Sequence, residues 1–136
     1  MLGVVLDTHA LVWLLANSPR LSENAAGAIE TATTAGKAVV VASISIVEII
    51  YLVEKGRLPP DAYERLGEAL RDASSPLVVA ALDSGVANAI TRIPRDLVPD
   101  MPDRVIAATA LHLGLSLITR DGKIRAAEVP GLTTVW

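Results

Sequence analysis

Short aliphatic runs alternate with helical segments along this chain of 136 residues, and this alternation constrains the fold more than any other feature. The runs cover residues 3–6, 38–42, 77–80 and 115–119, and residues 133–136 form a last predicted strand. Short, continuous apolar runs are typical of strands buried on both faces, and strands separated by helices favour a mainly parallel sheet. The sequence therefore predicts an α/β fold in which helices flank both faces of a small central parallel sheet.

The segments between these runs carry start and stop signals for helices. Predicted helices cover residues 10–16, 22–35, 43–55, 61–73, 83–92 and 103–113, with a helical turn at 121–127. Ser22 is a candidate N-cap, and Gly36, Gly56 and Gly114 lie where helices are expected to end. Because no linker or internal repeat interrupts this pattern, we expect residues 1–136 to form a single domain.

Composition narrows the classes of protein that this chain can belong to. It contains no cysteine, so disulfides and thiol chemistry are excluded, which fits a reducing compartment such as the cytoplasm. Its net charge of −3 gives no general attraction for nucleic acid. Asp7 and His9 interrupt the apolar N-terminal stretch, so we expect neither a leader peptide nor a membrane span there. The apolar content of 51% fits either a large aliphatic core or an interface with a second copy.

Acidic residues recur where predicted strands end and the next helices begin. Asp7 follows the first strand, and Glu48 lies early in the helix after the second. Asp103 opens a helix after a proline-rich loop, with Asp100 just before it, and Asp121 follows the fourth strand. Because the carboxyl ends of parallel strands meet at one edge of a sheet, these acids could share one cleft. Clustered carboxylates repel one another unless a cation compensates, and oxygen ligands suit Mg²⁺ or Mn²⁺.

Each acid also has a purely structural interpretation. Ser45 and Glu48 fit a capping box, in which the glutamate reaches back to a backbone amide. Asp7 and Asp103 could each be a helix N-cap, and Asp121 with the following glycine is typical of a turn. These alternatives stay open for each residue taken alone, but they do not explain why acids recur at four such places.

Four segments, in order along the chain, resemble the motifs of PIN-domain ribonucleases, and most closely those of VapC-type toxins from toxin–antitoxin pairs. The segments are VVLDTHALVWLL, SISIVEI, DMPDRVIAATAL and LITRDGKI. The resemblance implies a PIN-like fold and a metal-dependent endoribonuclease that hydrolyses RNA phosphodiester bonds. The implied ligands of Mg²⁺, or of Mn²⁺, are Asp7, Glu48, Asp103 and Asp121. It also implies supporting roles for the hydroxyl of Thr119 and for Asp100.

The same resemblance implies partners. These are an RNA substrate, a cognate antitoxin whose tail covers the cleft, and a second copy of the chain in a homodimer. Arg104 and Arg120 each adjoin one of the acids and could contact RNA phosphates, or could be ordinary surface residues.

Two other functions remain open from the sequence. One is a PIN-type nuclease that processes RNA outside a toxin–antitoxin system. The other is a non-catalytic, Mg²⁺-binding module similar to a receiver domain. The sequence fits a receiver domain poorly, because no second acid adjoins Asp7 and no lysine stands after the last core strand.

Overall fold

Five parallel strands form one sheet in the computed structural model, which describes residues 3–136. The strands are β1 (Val4–Leu6), β2 (Val39–Ala42), β3 (Leu77–Ala80), β4 (Ser116–Ile118) and β5 (Thr134–Val135), in the order β3-β2-β1-β4-β5. The first strand lies at the centre, where Val4 pairs with Val39 on one side and with Ser116 on the other. The predicted parallel sheet is confirmed. The order differs from the 2-1-3-4-5 order of receiver domains, so that alternative is wrong.

Helices connect the strands nearly where the sequence predicts them. Within residues 3–136 they are α1 (Thr8–Leu15), α2 (Glu23–Thr34), α3 (Ser43–Glu54), α4 (Asp61–Arg71), α5 (Ser84–Ala89), α6 (Met101–Leu113) and α7 (Gly122–Ala126). The predicted helix over 83–92 is shorter than expected, because α5 passes into a 3-10 turn at Ile90–Arg92. Across the residues described here, no helix combines the length and apolar character needed to cross a membrane.

The helices cover the sheet on both faces. On one face α5, α6 and α7 pack over side chains such as Val5 and Leu117. On the other, α1, α2, α4 and Ile49 of α3 pack over alternate strand residues such as Leu6. Strand side chains point alternately to the two faces, so β1 is buried on both. The cover thins at the edge strand β3, where the side chains of Val78 and Val79 are exposed.

Capping residues mark the start of α2 and the end of α6. The Ser22 hydroxyl accepts the backbone N–H of Ala25 and opens α2, as the sequence predicts. Gly114 ends α6 with a φ of +69°, a left-handed conformation that residues with a side chain adopt at a cost. At its other end α6 starts at Met101, two residues before the predicted position, because Asp100 caps it.

Candidate active site

A cavity of about 610 Å³ lies at the carboxyl edge of the sheet, next to the ends of β1 and β4. Its walls contain five carboxylates, those of Asp7, Glu48, Asp100, Asp103 and Asp121. The other residues that line it are Thr8, His9, Trp13, Arg20, Arg120 and Gly122. The fold therefore brings together acids that lie more than a hundred positions apart in the sequence.

Asp7 leaves the end of β1 and is held by two hydrogen bonds. Its Oδ1 accepts the backbone N–H of Ala10 at 2.8 Å, which caps α1, and the Thr119 side chain also hydrogen-bonds to it. Burial raises the pKa of the Asp7 carboxyl above its usual value, and the bonds from Thr119 and Ala10 only partly offset this. The capping interpretation of Asp7 is therefore correct, but the same carboxylate also lines the cavity.

Glu48 is held by a hydroxyl from α1 and does not cap its own helix. The Thr8 hydroxyl lies 3.0 Å from Ser45 Oγ and also donates to Oε1 of Glu48. The N-cap of α3 is Ala42, which makes no side-chain capping bond, so the capping-box interpretation is wrong. Burial raises the pKa of Glu48, the Thr8 bond lowers it, and the charge of Asp100 raises it further.

Asp103 lies in the first turn of α6, but it is not the residue that caps this helix. The cap is Asp100, whose Oδ2 accepts the backbone N–H of Asp103 at 3.1 Å. The N-cap interpretation of Asp103 is therefore wrong. Burial, followed by the charges of Asp100, Asp121, Glu48 and Asp7, raises the pKa of Asp103 from 3.8 to about 7.

Asp121 follows β4 and begins α7. Its Oδ1 accepts the backbone N–H groups of Lys123 at 2.8 Å and Ile124 at 3.0 Å. Its own N–H donates to the buried Thr119 hydroxyl at 3.0 Å. Thr119 thus links two acids, Asp7 and Asp121, that come from different strand ends. The turn interpretation is correct, and Asp121 lines the cavity as well.

The chemistry of these donors fits a hard divalent cation. All five groups offer carboxylate oxygen, the ligand atom that Mg²⁺ and Mn²⁺ prefer. Burial and mutual repulsion raise the pKa of Asp7, Glu48 and Asp103, which means that the protein itself does not balance their negative charge. Within residues 3–136, no three side chains of His, Asp or Glu already stand in a metal-binding arrangement. Binding an ion would therefore move some of these carboxylates closer to the others.

The two arginines predicted to contact phosphates have different surroundings. Arg120 lines the cavity. Arg104 instead donates from its guanidinium to the carbonyl of Ile93, with distances of 2.8 and 3.2 Å, and to that of Ile90 at 3.1 Å. These bonds fasten the 3-10 turn to α6, so Arg104 supports this loop, and its contact with RNA phosphate stays a prediction.

Five cavity residues lie outside the sequence-based set. They are Thr8, His9, Trp13, Arg20 and Gly122. A signal existed for three of them, because Thr8 follows Asp7 directly, and His9 and Trp13 are four positions apart on the helix that Asp7 caps. No sequence pattern pointed to Arg20, because the packing of the loop between α1 and α2 brings it to the cavity.

Comparison with known proteins gives consistent results at the levels of sequence and fold. The PIN domain family model matches residues 4–130. Ribonuclease VapC22 of Mycobacterium tuberculosis is 33% identical over 141 residues, which span 100% of each chain. VapBC2 from Rickettsia felis, solved with a promoter DNA fragment, superposes with a TM-score of 0.71 at 17% identity, covering 98% of this chain and 97% of that one. DNA-bound VapBC from Salmonella typhimurium gives 0.67 at 24% identity with the same coverage. The predicted PIN-like fold is thereby confirmed.

Proposed function

This chain belongs to the PIN-domain family, and we propose that it is an endoribonuclease that acts as the toxin of a VapBC-type toxin–antitoxin pair. One observation carries the proposal: four acids from separate strand ends and helix starts line a single cavity. Full-length similarity to a named ribonuclease supports RNA as the substrate. We further propose that residues 1–136 act as one domain.

Family membership implies the use of a divalent metal ion in general, and we propose that this ion is Mg²⁺, with Mn²⁺ as a substitute. Asp7, Glu48, Asp103 and Asp121 would hold it, with Asp100 in support. When bound, such an ion supplies a water of lowered pKa and neutralises charge on the phosphate and on the leaving oxygen.

The protein's own contribution is orientation and charge. Backbone amides and Thr119 fix the carboxylates of Asp7 and Asp121, so these groups are positioned before any ligand arrives. Thr8 donates to Glu48, and this bond favours the ionised carboxylate and partly offsets the rise in pKa that burial causes. No nucleophilic side chain is needed, because water can attack the phosphate in line and displace the leaving oxygen directly.

We propose a small antitoxin as the protein partner. The similarity to structures of VapBC and toxin–antitoxin complexes supports this assignment. Its tail would cover the acidic cavity and exclude RNA. A homodimer and a cytoplasmic location remain parts of the same proposal.

The first test is cleavage of a mixed RNA pool by the purified full chain, with Mg²⁺ and with EDTA. We expect cleavage with Mg²⁺, none with EDTA, and none by the Asp103→Asn variant. The matched control is Asp83→Asn, because Asp83 is an exposed carboxylate that caps α5 outside the cavity, and asparagine caps equally well. Cleavage that persists in EDTA would overturn the metal-dependent mechanism.

A chain that binds no divalent ion in calorimetry, and that cuts no RNA, would overturn the proposed function as a whole. The toxin assignment has a separate test, which is co-expression with the product of a neighbouring short reading frame. If that product neither binds the chain nor suppresses cleavage, a PIN nuclease outside a toxin–antitoxin system becomes the better assignment.

A further inference from the structure

The cavity holds an aromatic and cationic group as well as its acids. We call it the Trp13 cluster, and it consists of His9, Trp13, Arg20, Arg120 and Trp136. All except Trp136 line the cavity. The guanidinium of Arg120 lies over the Trp13 ring, 5.3 Å from its centroid. The rings of His9 and Trp136 lie 5.6 and 5.7 Å from the Trp13 ring.

Core packing does not explain why tryptophan stands here. The chain has no Phe and only two Trp, and both Trp belong to this cluster. The largest fully buried side chains of the described core are all aliphatic. Trp13 is only half-buried, and the neighbouring rings meet it at 45° and 57°, so neither covers its face in a parallel stack.

The cations of the cluster have no carboxylate partner, although they border a strongly acidic cavity. Among residues 3–136, the ion pair between Arg65 and Asp61 is the one pair within bonding distance. Arg20 and Arg120 are exposed, whereas the guanidinium of Arg104 is occupied by backbone carbonyls. The guanidinium donors of Arg20 and Arg120 therefore remain available to an anion from outside.

These features together match the chemistry of a nucleotide. Unpaired RNA bases stack on aromatic rings and on guanidinium planes, and arginine binds phosphate with paired donors. A phosphate that approaches five carboxylates is repelled unless cations lie beside them. A base within a duplex has no free face to offer to Trp13, so the recognised nucleotide must be unpaired.

We infer that the Trp13 cluster is a binding subsite for one unpaired RNA nucleotide next to the acidic group. The base lies against Trp13 and Arg120, and its phosphate contacts Arg20 and Arg120. This inference rests on the proposed function and adds to it the residues that would hold a nucleotide beside the acids. It also assigns Trp13 a role beyond packing against Trp136.

The first experiment reads binding without cleavage. In a Trp136→Phe background, Trp13 is the only indole of the full chain. This protein is titrated in EDTA with a mixed-sequence single-stranded RNA oligonucleotide and with the same strand in a duplex. We expect saturable quenching of Trp13 emission by the single strand, and at least tenfold weaker binding of the duplex. Equal quenching by both RNAs, or quenching by neither, would overturn the subsite.

The second experiment uses variants and anisotropy of labelled RNA. We expect Trp13→Leu to weaken binding about tenfold and Trp13→Phe to restore most of it, because phenylalanine keeps a stacking face. Arg120→Gln should weaken binding and lower the slope of log affinity against log salt by about one. The matched control is Arg57→Gln, an exposed arginine after α3, which should behave like the unchanged chain.

Stability and cleavage measurements separate the remaining explanations. If Trp13 serves only to pack against Trp136, Trp13→Leu lowers the unfolding temperature while RNA affinity of the folded protein stays unchanged. Arg120 is exposed, so its variant should keep the unfolding temperature and still lose affinity. If cleavage depends on Asp103 but the Trp13 and Arg120 variants bind RNA normally, the nuclease assignment is supported and the subsite is overturned. Trp13-dependent binding of single strands without any cleavage supports the subsite and overturns the nuclease.

Discussion

Asp100 Oδ2 accepts the backbone N–H of Asp103 at 3.1 Å, so two acids three positions apart divide two tasks between them. Asp100 accepts a backbone N–H at the start of α6, and the carboxylate of Asp103 lines the cavity. The two carboxylates also repel each other. The charge of Asp100 is the second largest cause, after burial, of the raised pKa of Asp103. The residue that caps α6 is therefore also one that raises the pKa of Asp103.

Substitution of Asp100 separates the cap from the charge. Asp100→Asn keeps a side-chain acceptor for the cap but removes the repulsion, so we expect the pKa of Asp103 to fall from about 7 and the pH profile of cleavage to shift to lower pH. Asp100→Ala should show the same shift and also lose about 1 kcal/mol of stability. Urea unfolding and a pH series of cleavage rates measure both effects. A profile that stays in place in both variants would contradict the coupling.

The pH dependence of stability follows from the raised pKa of Asp103. In the unfolded chain this carboxyl ionises near 3.8, whereas in the folded protein it ionises near 7. Between those values the folded state holds more protons, so the free energy of unfolding should fall as pH rises from about 4 to about 7. Asp7 and Glu48 are shifted in the same direction and add to the trend. Urea titrations in EDTA across this range measure it.

The control for that trend is Asp103→Asn, which should flatten the curve and be the more stable protein at pH 8. Mg²⁺ binds the folded state and needs ionised carboxylates, so it should restore stability to the unchanged chain above pH 7. Stability that climbs steadily from pH 4 to pH 8 in EDTA would show that the carboxylates are not mutually repulsive.

Glu48 has a precise chemical test because Thr8, rather than a backbone amide, is its observed partner. Glu48→Gln keeps an oxygen acceptor for Thr8 and should fold normally, but we expect cleavage to fall by about a hundredfold or more because one ionised ligand is lost. The control is Glu54→Gln, which changes an exposed glutamate at the end of the same helix. Full cleavage by Glu48→Gln would remove this residue from the site.

Thr119→Val tests the link between Asp7 and Asp121. The change removes a buried hydroxyl that bonds both acids, so we expect a loss of about 1–3 kcal/mol in stability and a further rise in the pKa of Asp7. Cleavage should then need a higher pH. The matched control is Thr109→Val in α6, another buried threonine, whose hydroxyl donates to the Val105 carbonyl at 2.7 Å. It should lose stability without moving the pH profile.

The fold could be predicted from the sequence because local signals and burial agree along most of the chain. Predicted strands match observed ones to within two residues at each end, since most of them are rich in aliphatic residues. The start of α6 was misplaced because Asp100 and Asp103 are equally good caps by composition. Only the geometry of the proline-rich loop decides between them.

The site could be predicted only in part. Because the ends of parallel strands share one edge of the sheet, Asp7 and Asp121 are expected to lie together. This rule does not predict the hydrogen bonds that hold each carboxylate in place. The bond from Thr8 to Glu48 depends on how closely α1 packs against α3, a tertiary distance without a local pattern. The surroundings of Arg104 could not be predicted either. An arginine beside an acid suggests phosphate binding, but backbone carbonyls of the loop accept hydrogen bonds from its guanidinium.

The position of β1 at the centre of the sheet also sets the order in which the cavity can form during synthesis. Val4 and Leu6 pair with Ser116 and Ile118, so the wall that carries Asp7 stays open until the ribosome has released β4. Asp121 and the Thr119 hydroxyl arrive with the same segment. The acids of a nascent chain therefore stay apart until β4 has left the ribosome, and the cavity can close only after that.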